Sequence, residues 1–254
     1  VKSIQDQTYR DWQLLIRDDG STDGTVEIIQ ELVAQDERIR FINQGAIENL
    51  GVIKSFHALL KYEKADLYCF SDQDDVWLPE KITLQVAEAA KYPQEVPLLV
   101  YTDLKVVDEN LNVQHESMIR TQSDHANTEL IQELTENTVT GGVAMINHAL
   151  AELWTGQENH ALLMHDWYLA LLATAFGKLI YIDQLCRNDY LYAQAGRPLL
   201  WNYKLGLVLS SADDDYQIRN HTQPENHGWM HVLQLPVHGS CGRDRGHKGN
   251  CHKG

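Results

Sequence analysis

Aspartates gather in this chain where apolar runs end, and a carboxylate placed there can hold a hard cation, attack an electrophile or take a proton. The densest case is "LYCFSDQDDVWLPEKI", Leu67 to Ile82, which carries Asp72, Asp74 and Asp75. A solvated turn explains acids of this kind in general, since Asp and Ser favour turns and helix starts. Three like charges this close nevertheless repel one another, and a bound cation relieves that. Asp18 and Asp19 end "WQLLIRDD", Asp103 ends "LLVYTD", and Asp166 opens "HDWYLALLA".

Asp72 and Asp74 have two sharp readings. In one they form a DxD pair binding Mg²⁺ or Mn²⁺ against the two phosphates of a nucleotide-sugar, the ion easing departure of the diphosphate. In the other, Asp72 is the nucleophile and Asp74 the acid/base of an aspartyl-phosphate phosphatase of the haloacid dehalogenase type. "CFSDQDDV" fits that motif locally, but two α/β units precede it, and no second acidic cluster follows.

"RDDGSTDGT" invites a calcium test. An EF-hand loop begun at Asp19 puts Asp23 fifth and Gly24 sixth, but Gln30 then falls twelfth and cannot supply the bidentate carboxylate. A strand-to-helix turn capped by Asp23 or Thr22 accounts for Ser21 to Thr25. It leaves Asp18 and Asp19 over, at a strand tip where a carboxylate could accept the imide N–H of uracil or thymine. For Asp166 the bland reading is a helix cap beside core Trp167, Leu171 and Leu172. The functional one is a general base for an acceptor hydroxyl, at a helix N-terminus that favours negative charge.

The elements that must position these groups alternate. Apolar runs at "WQLLIRDD", "RIRFINQ", "DLYCFSD" and "LLVYTD" read as strands. Helical spacing marks "TVEIIQELVAQ", "NLGVIKSFHALLKYEKA" and "LPEKITLQVAEAAKY". Alternation predicts βαβ units and a mostly parallel α/β sheet with flanking helices, in which strand ends share the ligand-binding edge. After Asp103 the reading is a hairpin in "KVVDENLNV", a helix in "NTELIQELTEN" and a loop entering a strand in "TVTGGVAMIN". A helix in "MHDWYLALLATAFGK" ends near Gly177, and "LIYID" is a strand.

The chain has 254 residues, with 21 basic and 36 acidic side chains and a formal charge of −15. That balance argues against non-specific binding to nucleic acid or anionic lipid. Cys69, Cys186, Cys241 and Cys251 show no CxxC spacing, which predicts free thiols and a reducing cytoplasm. No apolar run reaches the ~18 residues of a membrane span. The His- and Cys-bearing segment after Trp201 lacks the paired spacing of a zinc site and reads as a loosely structured tail.

Taken in order, "QTYRDWQLLIRDDGSTDGT", "NLGVIKSF", "FSDQDDVWLPEKI", "VYTDLKVVDEN", "TVTGGVAMIN" and "HDWYLALLATAFGKLIYID" resemble a family 2 glycosyltransferase of the GT-A fold. They are most similar to its bacterial rhamnosyltransferase-like branch. The resemblance implies inverting transfer from a dTDP- or UDP-linked sugar to a glycan or lipid-linked acceptor in cell-surface polysaccharide synthesis. It places the protein in the cytoplasm, at the inner membrane face, with peripheral membrane association compatible with this setting. It assigns Asp18, Asp19, Asp72 and Asp103 to donor binding and Asp72 with Asp74 to Mn²⁺ or Mg²⁺. It puts Gly141, Gly142 and Trp167 on the acceptor side and makes Asp166 the catalytic base.

Two departures set further expectations. The family begins with a central strand, whereas "VKSIQDQTYRDW" looks like a helix end and a turn, so an N-terminal truncation is expected, with "HVLQLPV" a candidate for the vacant slot. Where the family tends to have Tyr-Arg-Gln-His-Gly, this chain has Ala193 and Ala195 in the Arg and His positions. The expected division is a GT-A domain over 1–200 and an atypical tail over 201–254.

Overall fold

The structure is a computed structural model and describes residues 1–108, 110–122, 125–157, 164–190 and 229–235. In chain order the elements are α1 (Lys2–Gln5), β1 (Gln13–Asp18), α2 (Thr25–Gln35), β2 (Ile39–Phe41) and α3 (Val52–Tyr62). Next come β3 (Leu67–Ser71), β4 (Val76–Trp77), α4 (Lys81–Ala89), β5 (Leu98–Val107), β6 (Val113–His115), α5 (Met118–Gln122) and α6 (Leu130–Glu133). A 3₁₀ turn (Gly141–Val143) leads into β7 (Ala144–Asn147), α7 (His148–Thr155), α8 (His165–Phe176), β8 (Lys178–Tyr190) and β9 (Trp229–Leu235).

These strands form one mixed sheet in the order β2-β1-β9-β3-β7-β5-β8-β4, with β6 paired to β5. β1 lies parallel to β2 and β5 to β8, while β9 runs antiparallel to both β1 and β3, and β7 to both β3 and β5. The framework strands β2, β1, β3, β5 and β8 therefore all point one way. The expected parallel framework is present, with β7 and β9 threaded through it in the opposite sense.

Period-two alternation explains why each of these runs is apolar throughout. Leu14, Ile16, Cys69, Val100 and Leu233 join Ile29 of α2 and Ile82 of α4 in a core on one face. Leu15, Tyr68, Phe70, Tyr101 and Val232 join Phe56 of α3, Trp154 of α7 and Leu169 of α8 on the other. Cys69 is a buried free thiol, as its place in the run predicts.

β9 fills the slot expected for "HVLQLPV", so this part of the expected tail belongs to the sheet. Its residues pair with β1 from Gln13↔Gln234 to Asp18↔Trp229 and with β3 from Leu67↔Leu235 to Ser71↔His231. "HVLQL" thus lies between the two strands that carry the first acidic pair and the DxD segment; Pro236 and Val237 lie outside the described residues. The expected boundary at residue 200 lies outside the described residues. Buried Val232, Leu233 and Leu235 and two ladders of backbone hydrogen bonds tie β9 to the sheet.

The link from α8 to β8 turns on Gly177. A Cβ there would come within 1.8 Å of the Pro97 carbonyl oxygen, beside the Lys178 N–H to Pro97 O bond of 2.8 Å that starts β8 alongside β5. The helix ends where the sequence predicts. Among the described residues no helix is long and apolar enough to cross a membrane.

Candidate functional site

Strand directions bring the acidic segments to one edge. On β9, Asp18 faces Trp229 and Ser71 faces His231, so β1 and β3 end two residues apart along that strand. Ala144, first in β7, pairs with Tyr101 of β5, which puts the Gly141–Val143 turn at the same edge.

Asp18 and Asp19 are organised from within. Both are buried. Asp18 accepts the Gly20 and Ser21 backbone N–H groups, each at 3.0 Å, and the Ser21 hydroxyl at 2.5 Å. Asp19 accepts from the Arg17 guanidinium at 2.5 Å, the Ser55 hydroxyl at 3.0 Å, and the Leu50 and Gly51 N–H groups at 2.7 and 2.9 Å. Arg17 also donates to Ser55 Oγ at 2.7 Å and to the Glu48 carbonyl at 2.5 Å. These carboxylates shape the loop after β1 and fasten it to the start of α3. Asp23 accepts the Thr25 N–H at 3.0 Å at the entry of α2, close to the predicted cap.

The DxD segment is the turn after β3. Asp75 is the member folded inward, accepting the Asp72 N–H at 2.9 Å. Asp72 is half-buried and Asp74 exposed. Among the described residues no group of three or more His, Cys, Asp or Glu is arranged to hold a metal ion. A half-buried and an exposed carboxylate on one turn still suit a hard divalent ion that draws its other ligands from water and substrate phosphate, as magnesium habitually does.

Asp103 corrects a sequence expectation. It does not end its strand; β5 continues to Val107, and the register with β8 shifts on both sides of Asp103. The carboxylate accepts from the Ser117 hydroxyl, from the Ile119 N–H at 3.2 Å and from the Leu104 N–H at 2.8 Å. It holds α5 against the sheet, close to the site edge.

Asp166 and the glycine turn are in direct contact. Gly141 N–H donates to Asp166 Oδ2 at 3.1 Å, and Trp167 N–H to Oδ1 at 2.7 Å. A carboxylate offers about four acceptor positions, so two such donors orient it without saturating it. A Cβ on Gly141 would lie 2.9 Å from His165 Nε2, so the close approach depends on glycine; Gly142 is buried beside it. The His165 ring packs 4.4 Å from that of Phe56 and 5.2 Å from that of Phe70. Neither His165 nitrogen has a hydrogen-bond partner among the described residues, and burial pushes its pKa down, so the ring is neutral. The Trp167 indole donates to the Glu133 main-chain carbonyl at 2.8 Å.

The edge therefore gathers the segments of Asp18, Asp19, Asp72, Asp74, Gly141, Gly142, Asp166 and Trp167, with Asp103 behind it. Sequence reasoning missed Arg17, Ser55, His165 and Glu133. A basic residue just before an acidic pair was a usable signal for Arg17; one Glu among the three of "NTELIQELTEN" gives none. Ala193 and Ala195 lie outside the described residues.

The profile of glycosyl transferase family 2 matches residues 1–154, so Asp166 and Trp167 stand beyond the matched stretch. The chain is 39% identical over 85 residues to the dTDP-rhamnosyl transferase RfbG of Shigella flexneri, covering 32% of this chain and 29% of that protein. It is 31% identical over 91 residues to the UDP-Glc:alpha-D-GlcNAc-diphosphoundecaprenol beta-1,3-glucosyltransferase WfgD of Escherichia coli, covering 36% and 34%. With the chondroitin synthase of Escherichia coli it shares 26% identity over 195 residues, 76% of this chain and 27% of that protein. In each alignment the chain spans about a third or less of the relative's length. These matches set aside the phosphatase reading of Asp72. With more than half of its residues inside the family profile, the chain belongs to glycosyl transferase family 2, and its α/β sheet is a GT-A fold.

Proposed function

We propose that the protein transfers a sugar, with inversion, from a dTDP- or UDP-linked donor to a glycan or lipid-linked acceptor in the assembly of a bacterial surface polysaccharide. The carrying observation is the shared edge: the DxD turn after β3 and the Gly141–Asp166 contact meet there, beside the loop held by Asp18 and Asp19. Family membership supports the reaction class, and the names of RfbG and WfgD support nucleotide-linked donors and, for WfgD, a lipid-linked acceptor.

In this reading the loop after β1 receives the nucleoside. Asp18 and Asp19 act first by fixing its shape, and Asp103 acts by holding the α5 segment behind the sugar. Asp72 and Asp74 would hold Mg²⁺ or Mn²⁺ against the donor's phosphates, where the ion neutralises charge on the departing diphosphate. Asp166 takes the proton of the acceptor hydroxyl as that oxygen bonds to the anomeric carbon; the bond from carbon to phosphate oxygen breaks on the opposite face, its electron pair leaving with the diphosphate. The Gly141 and Trp167 N–H groups orient the base, and Gly142 and Trp167 line the acceptor side. One base and one leaving group suffice for inversion.

The test is release of nucleoside diphosphate from dTDP- and UDP-sugars, with and without acceptor and Mn²⁺ or Mg²⁺. Turnover that needs acceptor and metal, with an inverted anomer in the product, supports the reading. Phosphate release from simple monoesters, or nucleotide binding with no turnover under any pairing, contradicts it.

A further inference from the structure

Behind Asp166 lies a carboxyl group with no cation to balance it among the described residues. Glu133, the last residue of α6, has no exposed surface, while Leu130, Ile131 and Leu134 around it face solvent. A surface helix ordinarily buries its apolar side. Here the arrangement is inverted. Glu133 Oε1 lies 3.5 Å from the Thr138 hydroxyl, and Oε2 has no hydrogen-bond partner among the described residues. Thr138 is itself tied to the Tyr101 hydroxyl at 3.1 Å and to the Asn127 N–H at 3.0 Å. The Glu133 main-chain carbonyl accepts the Trp167 indole, so any movement of α6 reaches the Asp166–Trp167 turn.

The titratable groups around Glu133 are Asp166 on α8, preceded by neutral His165, Tyr101 on β5, and the exposed Glu129 and Glu136 on its flanks. None is cationic. A buried carboxylate with an orphan oxygen and a like charge nearby is costly, and such a group keeps its proton instead. Burial pushes the Glu133 carboxyl up to about 7; the Thr138 N–H and hydroxyl and the Asn127 side chain oppose that shift, and the Asp166 charge adds to it.

We propose that Glu133 is a positioning residue for Asp166: its buried carboxyl, with one oxygen unpaired among the described residues, fixes the α6–α8 junction behind the Asp166–Trp167 turn. This rests on the reading of Asp166 as the base. A folded-state pKa above the unfolded one gives stability that is full below the unfolded value of 4.5 and is lost as pH rises to about 7. E133Q, a neutral isostere, escapes that loss.

The experiment compares thermal melts of the wild type, E133Q, D166N and the double variant at pH 5 and pH 8. The Tm of E133Q relative to wild type should gain roughly 5 °C or more between the two pH values. In the D166N background that gain should shrink, because the neighbouring charge is gone. In sugar transfer, wild-type kcat should fall severalfold above pH 7 while that of E133Q holds and the donor KM of both stays level. Parallel melting of wild type and E133Q, an equal gain with and without Asp166, or an E133Q chain that does not fold would each overturn the proposal. The melting arms need no turnover, so they decide on Glu133 even where transfer itself is not detected.

Discussion

The two acidic centres along the edge are built on opposite principles. Around Asp18 and Asp19 each carboxylate oxygen meets a backbone N–H, a hydroxyl or the Arg17 guanidinium. Around Asp166, the buried Glu133 Oε2, Thr140 Oγ1 and both His165 nitrogens have no partner among the described residues. The first centre is electrostatically settled, and its task is shape. The second carries buried polar groups without partners among the described residues, beside the residue proposed as the base. Chemistry belongs on the less satisfied side, since perturbed and orphaned groups concentrate where function requires them.

Several substitutions would break or sharpen this contrast. The largest effect is expected on the settled side. Asp19→Ala strands the buried Arg17 guanidinium and should cost about 3–5 kcal/mol in a denaturant titration; a cost under about 1 kcal/mol would mean that the loop is not held as described. Next comes acid sensitivity. Burial lowers the His231 pKa to about 3, so its stabilising contribution is present above the ordinary 6.5 and lost as pH falls toward 3, opposite in sign to Glu133. Melting below pH 6 should therefore be less steep in His231→Gln than in wild type. Trp167→Phe keeps the ring but loses the indole donor to Glu133, for about 1 kcal/mol of stability, and its larger consequence should be a lower kcat at unchanged donor KM. The smallest effect on folding belongs to Asp74→Ala, an exposed site where the change should stay within roughly 0.5 kcal/mol. Its metal-dependent nucleotide binding, followed by calorimetry, should nonetheless disappear.

The sequence announces the settled side far better than the reactive one. From β1 to α4, strand runs and helical spacing alternate cleanly, and every element but the two-residue β4 lies where the pattern puts it, because both faces of the sheet are covered by apolar cores. Past Asp103 the β5–β6 hairpin, β7, α8 and β8 also lie where the pattern puts them, but other features do not. β5 runs on through a register shift at Asp103, which no residue type there announces. The helix expected across "NTELIQELTEN" is a single turn at Leu130–Glu133 with its acid inward, against the usual amphipathic sense. α7 was legible and overlooked: the Asn147 side chain caps it by accepting the Leu150 N–H, and Leu150, Ala151 and Trp154 have helical spacing. β9 could be suspected from the apolar "HVLQL" and from the central strand that the family resemblance leaves vacant; its pairing with β1 and β3 depends on contacts across the whole chain length. Asp166, Gly141 and Trp167 are named by motif, whereas His165 and Glu133 beside them carry no local signal.

The most direct test of the account is calorimetry of UDP or dTDP binding with Mn²⁺ alongside a transfer assay on Asp166→Asn. A general base at this position predicts transfer reduced by roughly a hundredfold or more, with nucleotide affinity within twofold of wild type. Retained transfer, or nucleotide binding lost together with it, would contradict the assignment of proton removal to Asp166.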